Sequence, residues 1–108
     1  MMRRCRVYNH DRFAGVLEEL DDGTYRFRYD AAYLVDDTTE PVSLTLPKRR
    51  EPYTSDHLFP FFYGLTAEGA NRQLQARLLG IDEDDAFGLL MEAGCDTIGS
   101  VTVKAGEP

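Results

Sequence analysis

The stretch Thr24-Tyr25-Arg26-Phe27-Arg28-Tyr29 decides the fold class, because aromatic and basic side chains alternate along it. The three aromatic residues fall on one face of an extended chain, and the two arginines fall on the other. A helix cannot satisfy this period of two, since residues on one helix face are three or four positions apart. The stretch therefore predicts a β-strand with one apolar and one basic face.

Two more strands are predicted on the N-terminal side of this one. The segment Arg3–Tyr8 alternates in the same way, and Phe13–Leu20 follows it after the polar turn Asn9-His10-Asp11-Arg12. Asp21-Asp22-Gly23 then supplies a glycine for the positive φ that tight hairpins require. Strands joined by turns this short pair antiparallel.

The region that follows predicts a helical turn and a fourth strand. Ala31–Val35 suits a single helical turn, and the polar loop Asp36–Pro41 comes after it. Val42–Leu46 alternates apolar and hydroxyl side chains up to Pro47, which is the pattern of a strand. The next loop contains the basic run Lys48-Arg49-Arg50, which suits either a solvated loop or a contact with an acidic partner.

A short aromatic helix is expected after these strands. Thr54 or Ser55 can cap it, and Pro60 is compatible only with its first turn. Its aromatic density exceeds what one short helix needs, so two uses stay open: rings in the core, or rings left outside as an apolar anchor for a partner. The rings concerned are Phe59, Phe61, Phe62 and Tyr63.

Two further helices are expected in the second half. Thr66 can cap a helix that ends at Gly80, and Asp82 can cap the helix Glu83–Glu92, which ends at Gly94. The helical spacing rests on Ala70, Leu74 and Leu78 in the first helix, and on Phe87, Leu90 and Met91, facing inward, in the second.

The order of elements predicts the fold class. After the helices, Thr97–Val103 is rich in β-branched residues and predicts a returning strand. Strands, then helices, then one strand is the order of an α+β fold with an antiparallel sheet. We expect a small, partly barrel-like antiparallel sheet of about five strands with two to three helices inserted before the last strand, in one domain over residues 1–108.

Length and charge exclude several classes of protein. The 108 residues and 12.2 kDa are too few for a complete kinase or a dinucleotide-binding dehydrogenase. A net charge of −7 argues against wrapping a phosphate backbone, which requires a basic footprint. No apolar run approaches the roughly 20 residues of a membrane span, and no signal sequence follows the basic start. We therefore expect a cytoplasmic protein with reduced Cys5 and Cys95 that contacts neither a membrane nor nucleic acid directly.

No constellation in the sequence predicts catalysis, a cofactor or a metal site. Ser55-Asp56-His57 holds the residue types of a hydrolase triad, but consecutive residues cannot form the required line of hydrogen bonds. The cysteines and histidines lack metal-ligand spacing, and the acidic run Asp82–Asp85 suits a helix N-terminus better than a calcium loop. Ala86-Phe87-Gly88 and His10-Asp11 lack residues that the kinase motifs require. We expect no enzymatic activity.

Six segments, taken in order, resemble the N-terminal subdomain of HipA-type proteins. No single segment is specific, but their order is, and together they extend from about residue 5 to residue 104. The segments are Gly15–Glu18, Tyr25–Tyr29, Pro41–Pro47, Leu58–Leu65 with Glu68-Gly69, Asp85–Leu90 and Asp96–Val103.

The resemblance implies a function. HipA proteins are serine/threonine kinase toxins of bacterial toxin–antitoxin systems, and they work with the helix-turn-helix repressor HipB. Their N-terminal subdomain precedes the kinase core, and in some bacteria it is a separate protein, HipS, the antitoxin of a shortened kinase, HipT. The resemblance implies a regulatory antitoxin that restrains a HipT-type kinase and meets a HipB-like repressor only indirectly. A docking domain or HipA fragment without inhibitory activity and a small ligand-binding α+β domain are the alternatives.

A partner-binding segment is expected over Phe61–Arg72. Its aromatic first part is followed by polar residues at a helix start that we expect to be exposed. We expect this segment to lie against the kinase near its nucleotide or activation region. The candidate partner-binding residues are Phe61, Tyr63, Leu65, Glu68, Asn71 and Arg72.

Overall fold

Five strands and four helices make up the part of the chain that the computed structural model describes, residues 3–66, 69–94 and 100–106. The strands are β1 (Arg3–Asn9), β2 (Arg12–Glu19), β3 (Tyr25–Tyr29), β4 (Tyr53–Ser55) and β5 (Val101–Ala105). The helices are α1 (Ala31–Val35), α2 (Pro60–Tyr63), α3 (Gly69–Leu79) and α4 (Ala86–Ala93).

The strands form one antiparallel sheet in the order β4-β3-β2-β1-β5. The turn from β1 to β2 has positive φ at His10 and Asp11, of 52° and 64°, and Gly23 in the next hairpin has a φ of 84°. The chain then passes through α2, α3 and α4 before β5 joins the sheet beside β1. The predicted α+β class is confirmed. The sheet is open, with β4 and β5 at its edges, so it does not close into a barrel.

The inner face of the sheet carries the core. Phe27 is fully buried there, and its ring centroid lies 5.3 Å from that of Phe62 in α2. Full burial of an aromatic side chain contributes roughly 1.5–3 kcal/mol. In α4, Phe87 and Leu90 are buried and Met91 packs against the same core, as predicted. The buried apolar residues of this sheet face include Cys5, Val7, Leu17, Phe27, Tyr29, Val101 and Val103.

Two tyrosine hydroxyls hold the loop between α1 and β4 against the sheet. The Tyr29 hydroxyl donates to the carbonyl oxygen of Leu46 and accepts from the backbone N–H of Val42 at 3.0 Å. The Tyr33 hydroxyl donates to the carbonyl oxygen of Glu40 and accepts from Asn9 Nδ2 at 3.0 Å. Because the Tyr29 hydroxyl satisfies two buried backbone groups, it replaces hydrogen bonds that a strand would supply.

The predicted strand Val42–Leu46 is therefore wrong. The segment is a turn, closed by a hydrogen bond of 3.1 Å from the Leu46 N–H to the Ser43 carbonyl oxygen. Val42 and Leu46 are buried, while Leu44 at the tip is 95% exposed. A tight turn with buried ends produces the same alternation as a strand. The fourth strand is Tyr53–Ser55, which the sequence assigned to a helix cap.

The predicted helix starts differ from the observed ones. Thr54 and Ser55 lie in β4, and α2 begins at Pro60, which occupies its first turn as expected. The pairing of β4 with β3, in which Arg26 lies opposite Thr54, explains the difference. Thr54 and Ser55 form part of a strand, although the local sequence alone would allow them to cap a helix.

In the last helix the cap is Asp85 rather than Asp82. Asp85 Oδ1 accepts from the backbone N–H of Gly88 at 3.1 Å, whereas Asp82 Oδ1 accepts from the N–H of Asp84 in a preceding turn. Gly80, with a φ of 70°, follows the end of α3, and Gly94 ends α4, both as predicted. Three predicted features lie outside the described residues. They are the first residues of the last predicted strand, 97–99, the cysteine Cys95, and the residues 67–68 that follow the predicted cap Thr66.

Candidate functional site

The aromatic segment around α2 is divided between core and surface. Phe59 and Phe62 are buried and pack edge to face with centroids 6.2 Å apart. Phe61 is half-buried against Phe62 at 5.2 Å, and Tyr63 is 48% exposed. Buried and exposed rings therefore both occur in and beside this one short helix, and the use of the exposed ring as an anchor for a partner stays a prediction.

A groove of about 630 Å³ lies between α2 and the N-terminus of α4, and we call it the α2–α4 groove. Its walls are largely apolar or aromatic, and Asp84 and Asp85 supply negative charge at one end. A cavity with apolar walls and a few polar groups suits a side chain of a binding partner. The groove is lined by residues that include Tyr25, Leu58, Pro60, Tyr63, Asp84 and Ala86.

Arg3 fixes the acidic end of this groove. Its guanidinium donates two hydrogen bonds to Asp85, both of 2.9 Å, and two to Glu19, of 2.7 and 2.9 Å. The hydrogen bonds from Arg3 hold the pKa of Asp85 below its usual range. Arg3 also lies over the ring of Phe87 at 5.1 Å from its centroid. Asp85 is therefore engaged in holding α4, which leaves Asp84 as the exposed carboxylate of the groove.

Helix α3 leaves large apolar side chains exposed. Leu74 is 53% exposed, Leu78 is 76% exposed and Leu79 is 42% exposed, while Ala76 is buried. A helix that covers a core carries apolar residues at three to four positions in every two turns, and the sequence Gln73-Leu74-Gln75-Ala76-Arg77 falls short of that. The spacing of Leu74 and Leu78 thus marks a helix face, but one that solvent reaches.

The candidate partner-binding residues divide into described and undescribed ones. Tyr63 lines the α2–α4 groove, while Phe61 and Leu65 are half-buried against the core. Asn71 and Arg72 lie on the first turn of α3, and their side chains, like all of Glu68, are outside the described residues. The candidate partner-binding residues predicted from the sequence did not include Leu74, Leu78 and Leu79, which the structure leaves exposed. The narrow apolar stripe of α3 was the signal that could have found them.

The outer face of the sheet collects basic side chains. The register places Arg4 opposite Glu18 and Glu18 opposite Arg26, and it places Arg6 opposite both Val16 and Lys104. Four arginines of β1 and β3 therefore lie on one face, whereas Arg3 lies on the other face, against α4. We call Arg4, Arg6, Arg26, Arg28 and Lys104 the basic face.

Glu18 neutralises part of the basic face. Its side chain is 3% exposed, and it accepts from Arg4 Nε at 2.7 Å and Arg26 Nε at 2.8 Å. Burial alone raises the pKa of Glu18, but the hydrogen bonds from Arg26 and Arg4 outweigh burial and lower that pKa overall. The carboxylate therefore stays charged and holds two arginines in place on the sheet.

The residue types of a hydrolase do not assemble into a catalytic arrangement. His57 Nδ1 and Asp56 Oδ1 are 2.7 Å apart in an exposed pair, and Ser55 Oγ accepts from the backbone N–H of His57 rather than from its ring. Cys5 is fully buried, and burial raises the pKa of its thiol to about 12. Within the described ranges, no group of three or more His, Cys, Asp or Glu residues could hold a metal ion.

The basic loop is partly engaged within the chain. Lys48 Nζ donates to Thr39 Oγ1 at 2.7 Å and to the carbonyl oxygen of Asp36 at 3.0 Å. The Arg49 guanidinium lies over the Tyr53 ring, 3.7 Å from its centroid. Arg50 is exposed and lines a second groove together with Arg28.

Of the helices that the structure describes, each is too short or too polar to cross a membrane.

Comparison with known proteins agrees with the resemblance seen in the sequence. The family model described as HipA N-terminal domain matches residues 5–104. A protein of Sinorhizobium fredii named "Putative kinase Y4mE" is 35% identical over 100 residues, which cover 93% of this chain and 24% of that protein. An "Uncharacterized protein" of Haemophilus influenzae is 33% identical over 104 residues, covering 96% of this chain and 93% of that protein.

A solved structure, the N-terminal domain of HipA toxin, shares the fold. Its TM-score is 0.72 at 30% sequence identity, and the match covers 97% of this chain and 93% of that one. This chain thus spans about a quarter of the Sinorhizobium relative and nearly all of the Haemophilus relative. The extent of the family match and the agreement of the two folds lead to one conclusion: the chain belongs to the HipA N-terminal domain family.

Proposed function

We propose that this chain is a non-catalytic regulatory module that docks on a HipA-type serine/threonine kinase and restrains it, in the manner of a HipS-like antitoxin. The observation that carries the proposal is that the helical half leaves large apolar side chains exposed, on α2 at Tyr63 and on α3 at Leu74 and Leu78. Exposed apolar side chains that gather in one part of a small domain are typical of a surface that a partner covers.

The relatives support a kinase as that partner. In the Sinorhizobium protein, whose name describes a kinase, the matched region is 24% of the length, so most of that chain lies outside the domain. An apolar surface that faces such an attached region would become exposed when the domain is a chain of its own. A partner that replaces the attached region would therefore use the same surface.

The α2–α4 groove gives the docking a geometry. Its apolar walls fit an apolar kinase side chain, and Asp84 at its end fits a neighbouring lysine or arginine. Tyr63 joins the groove to the segment that leads to α3. Aromatic side chains at such positions contribute a large part of binding energy. The segment Phe61–Arg72 and the leucines of α3 would then lie against the kinase, near its nucleotide or activation region.

A co-expression experiment in the native host tests the proposal. The HipA-type kinase is expressed without its own N-terminal domain, together with this chain as bait, and growth and kinase recovery are both measured. We expect the kinase to be recovered and growth to be restored. Leu78→Arg and Tyr63→Ala are expected to abolish both effects, and so is charge reversal of Glu68 and Arg72 combined with Tyr63→Ala.

The matched control is Leu44→Arg, because Leu44 is 95% exposed at the tip of a turn in another part of the fold. Leu44→Arg adds the same positive charge as Leu78→Arg but leaves the helical half unchanged, so we expect this variant to restore growth. Recovery of the kinase without restored growth would favour a docking domain that lacks inhibitory activity. Failure to recover any kinase would overturn the proposal, and a small-molecule ligand would then have to be sought.

A further inference from the structure

We propose that the basic face and the groove beside it form a second binding surface, which takes an acidic protein segment that carries an apolar side chain next to its carboxylates. This surface lies on the side of the sheet opposite the α2–α4 groove, because Phe62 of α2 packs on the inner face at Phe27. The inference therefore does not depend on kinase docking.

The first observation is the separation of charge. The chain has a net charge of −7, yet its outer sheet face carries five cationic side chains and one carboxylate, Glu18. Glu18 is buried and paired with Arg4 and Arg26. Among the described residues, no carboxylate pairs with Arg6 or Arg28, and Nε of Arg6 is buried without a hydrogen-bond partner. Arg28 is exposed. Arg28 is therefore available to meet negative charge from outside the chain, and Arg6, whose Nη2 donates to the Ala105 carbonyl oxygen at 3.3 Å, adds positive charge to the same face.

The second observation is an apolar groove that adjoins the same cations. It has a volume of about 450 Å³ and lies where α1 crosses the end of the sheet. Phe13, Val16, Leu34 and Val35 supply its apolar walls. Its charged lining consists of two cations, Arg28 and Arg50, and one carboxylate, Asp30, so positive charge is in excess. The Val35 side chain is 78% exposed, and an exposed apolar side chain at the edge of an apolar groove is typical of a contact surface. A carboxylate beside an apolar side chain matches this combination.

The dimensions favour a peptide over nucleic acid. The basic face spans four strands, which is roughly 15 Å at the usual strand spacing. A nucleic acid duplex carries a negative charge about every 1.7 Å and would extend past the basic face. Beyond that face it would meet the rest of the chain, whose net charge is more negative than the −7 of the whole chain because the cations of the basic face are not part of it. A short acidic segment ends within the face and avoids that repulsion. The apolar groove adds a contact that phosphate cannot use.

Binding of synthetic probes tests this inference. Fluorescence anisotropy would compare a labelled peptide of glutamate and leucine, a polyglutamate peptide of the same length, and single-stranded oligothymidylate, each at low and at physiological salt. We expect the glutamate–leucine peptide to bind most tightly, with an affinity that falls as salt rises. Val35→Ser is expected to remove its advantage over polyglutamate.

Charge reversal identifies the surface. Arg28→Glu is expected to weaken the glutamate–leucine peptide about tenfold or more, which corresponds to the loss of one good charged contact. Lys104→Glu, on β5, provides an independent reversal in case Arg28→Glu fails to fold, and circular dichroism checks both. Arg77→Glu, exposed on α3, is the matched control and should leave binding unchanged. Equal weakening by Arg77→Glu, tighter binding of oligothymidylate, or no binding of either peptide would overturn the inference.

Discussion

Arg3 and Asp85 form a two-pronged ion pair across 82 residues of sequence, with both nitrogen–oxygen distances at 2.9 Å. The same guanidinium holds Glu19 of the neighbouring strand. One side chain at the start of β1 therefore connects the first hairpin to the N-terminus of α4. Because Asp85 also caps α4, the orientation of the helix and the shape of the α2–α4 groove depend on this contact.

Replacing Arg3 by glutamine is expected to destabilise the domain. The substitution removes four charge-assisted hydrogen bonds and leaves two half-buried carboxylates facing each other, so we expect a loss of about 1–3 kcal/mol in the free energy of unfolding. Urea denaturation followed by circular dichroism measures the loss. Arg77→Gln, at an exposed position of α3, should change the midpoint little. Equal midpoints for the two variants would show that the bridge contributes nothing.

Acid is expected to weaken the fold through Glu18. The pKa of this carboxyl lies below its ordinary value of 4.5 in the folded chain, because the hydrogen bonds from Arg26 and Arg4 exceed the opposing effect of burial. Its contribution is therefore complete above pH 4.5 and is lost as the pH falls through the lower, folded pKa. Glu18→Gln should lower stability at neutral pH by about 1–3 kcal/mol and flatten the decline in acid.

The pH series needs a control that keeps the other carboxylates. Glu51→Gln serves, since Glu51 is exposed in the loop before β4. Thermal melting from pH 7 downward should give the same slope for this variant as for the parent chain. A Glu18→Gln variant that loses stability in acid as steeply as the parent would place the acid sensitivity at other residues.

Removing the hydroxyl of Tyr29 is expected to release the loop between α1 and β4. Tyr29→Phe keeps the ring in the core but leaves the Leu46 carbonyl oxygen and the Val42 N–H without their partner. A buried, unsatisfied polar group costs about 1–3 kcal/mol. Hydrogen exchange should show faster exchange at Val42. Tyr53→Phe, whose hydroxyl donates to Pro47 in an exposed contact, should have a smaller effect.

A methyl group at Gly15 is expected to disrupt the pairing of β2 and β3. An added Cβ would lie 2.3 Å from the backbone carbonyl oxygen of Arg28, and a backbone atom cannot turn aside as a side chain does. Overpacking of this kind costs about 1–3 kcal/mol or more. Gly64→Ala is the control, because the nearest atom there is 3.3 Å away and its φ is −65°. Near-equal melting temperatures for the two variants would contradict the expectation.

The first hairpins and the fold class could be predicted because they depend on local chemistry. Strict alternation along 24–29 and the glycine of the turn leave few other conformations for the chain. The turn at 43–46 could not be distinguished from a strand, since the groups that hold its two ends, the Val42 N–H and the Leu46 carbonyl oxygen, bind the hydroxyl of Tyr29, which lies 13 residues earlier in the chain than Val42. Likewise, β4 forms only because β3 offers an edge to Thr54.

The candidate site was predictable in part for the same reason. Tyr63 was found because aromatic residues exceeded what the core of one helix needs, and it is exposed at the groove. Asp84 and Tyr25 could not be assigned to that groove, because the packing of α4 against the sheet brings them near α2. The basic face required the register of three strand pairs, which no local pattern specifies.

The pairing of β1 with β5 has a consequence for synthesis of the chain. Cys5 lies opposite Ala105, so β1 has no second neighbour until residues 101–105 have left the ribosome. Until then its N–H and C=O groups form an unpaired strand edge, which is prone to aggregation and proteolysis. Closing a contact between such distant residues is also slow. An incomplete product therefore differs from a finished one because it exposes the edge of β1, which β5 covers in the complete sheet, and cellular quality control can recognise that edge.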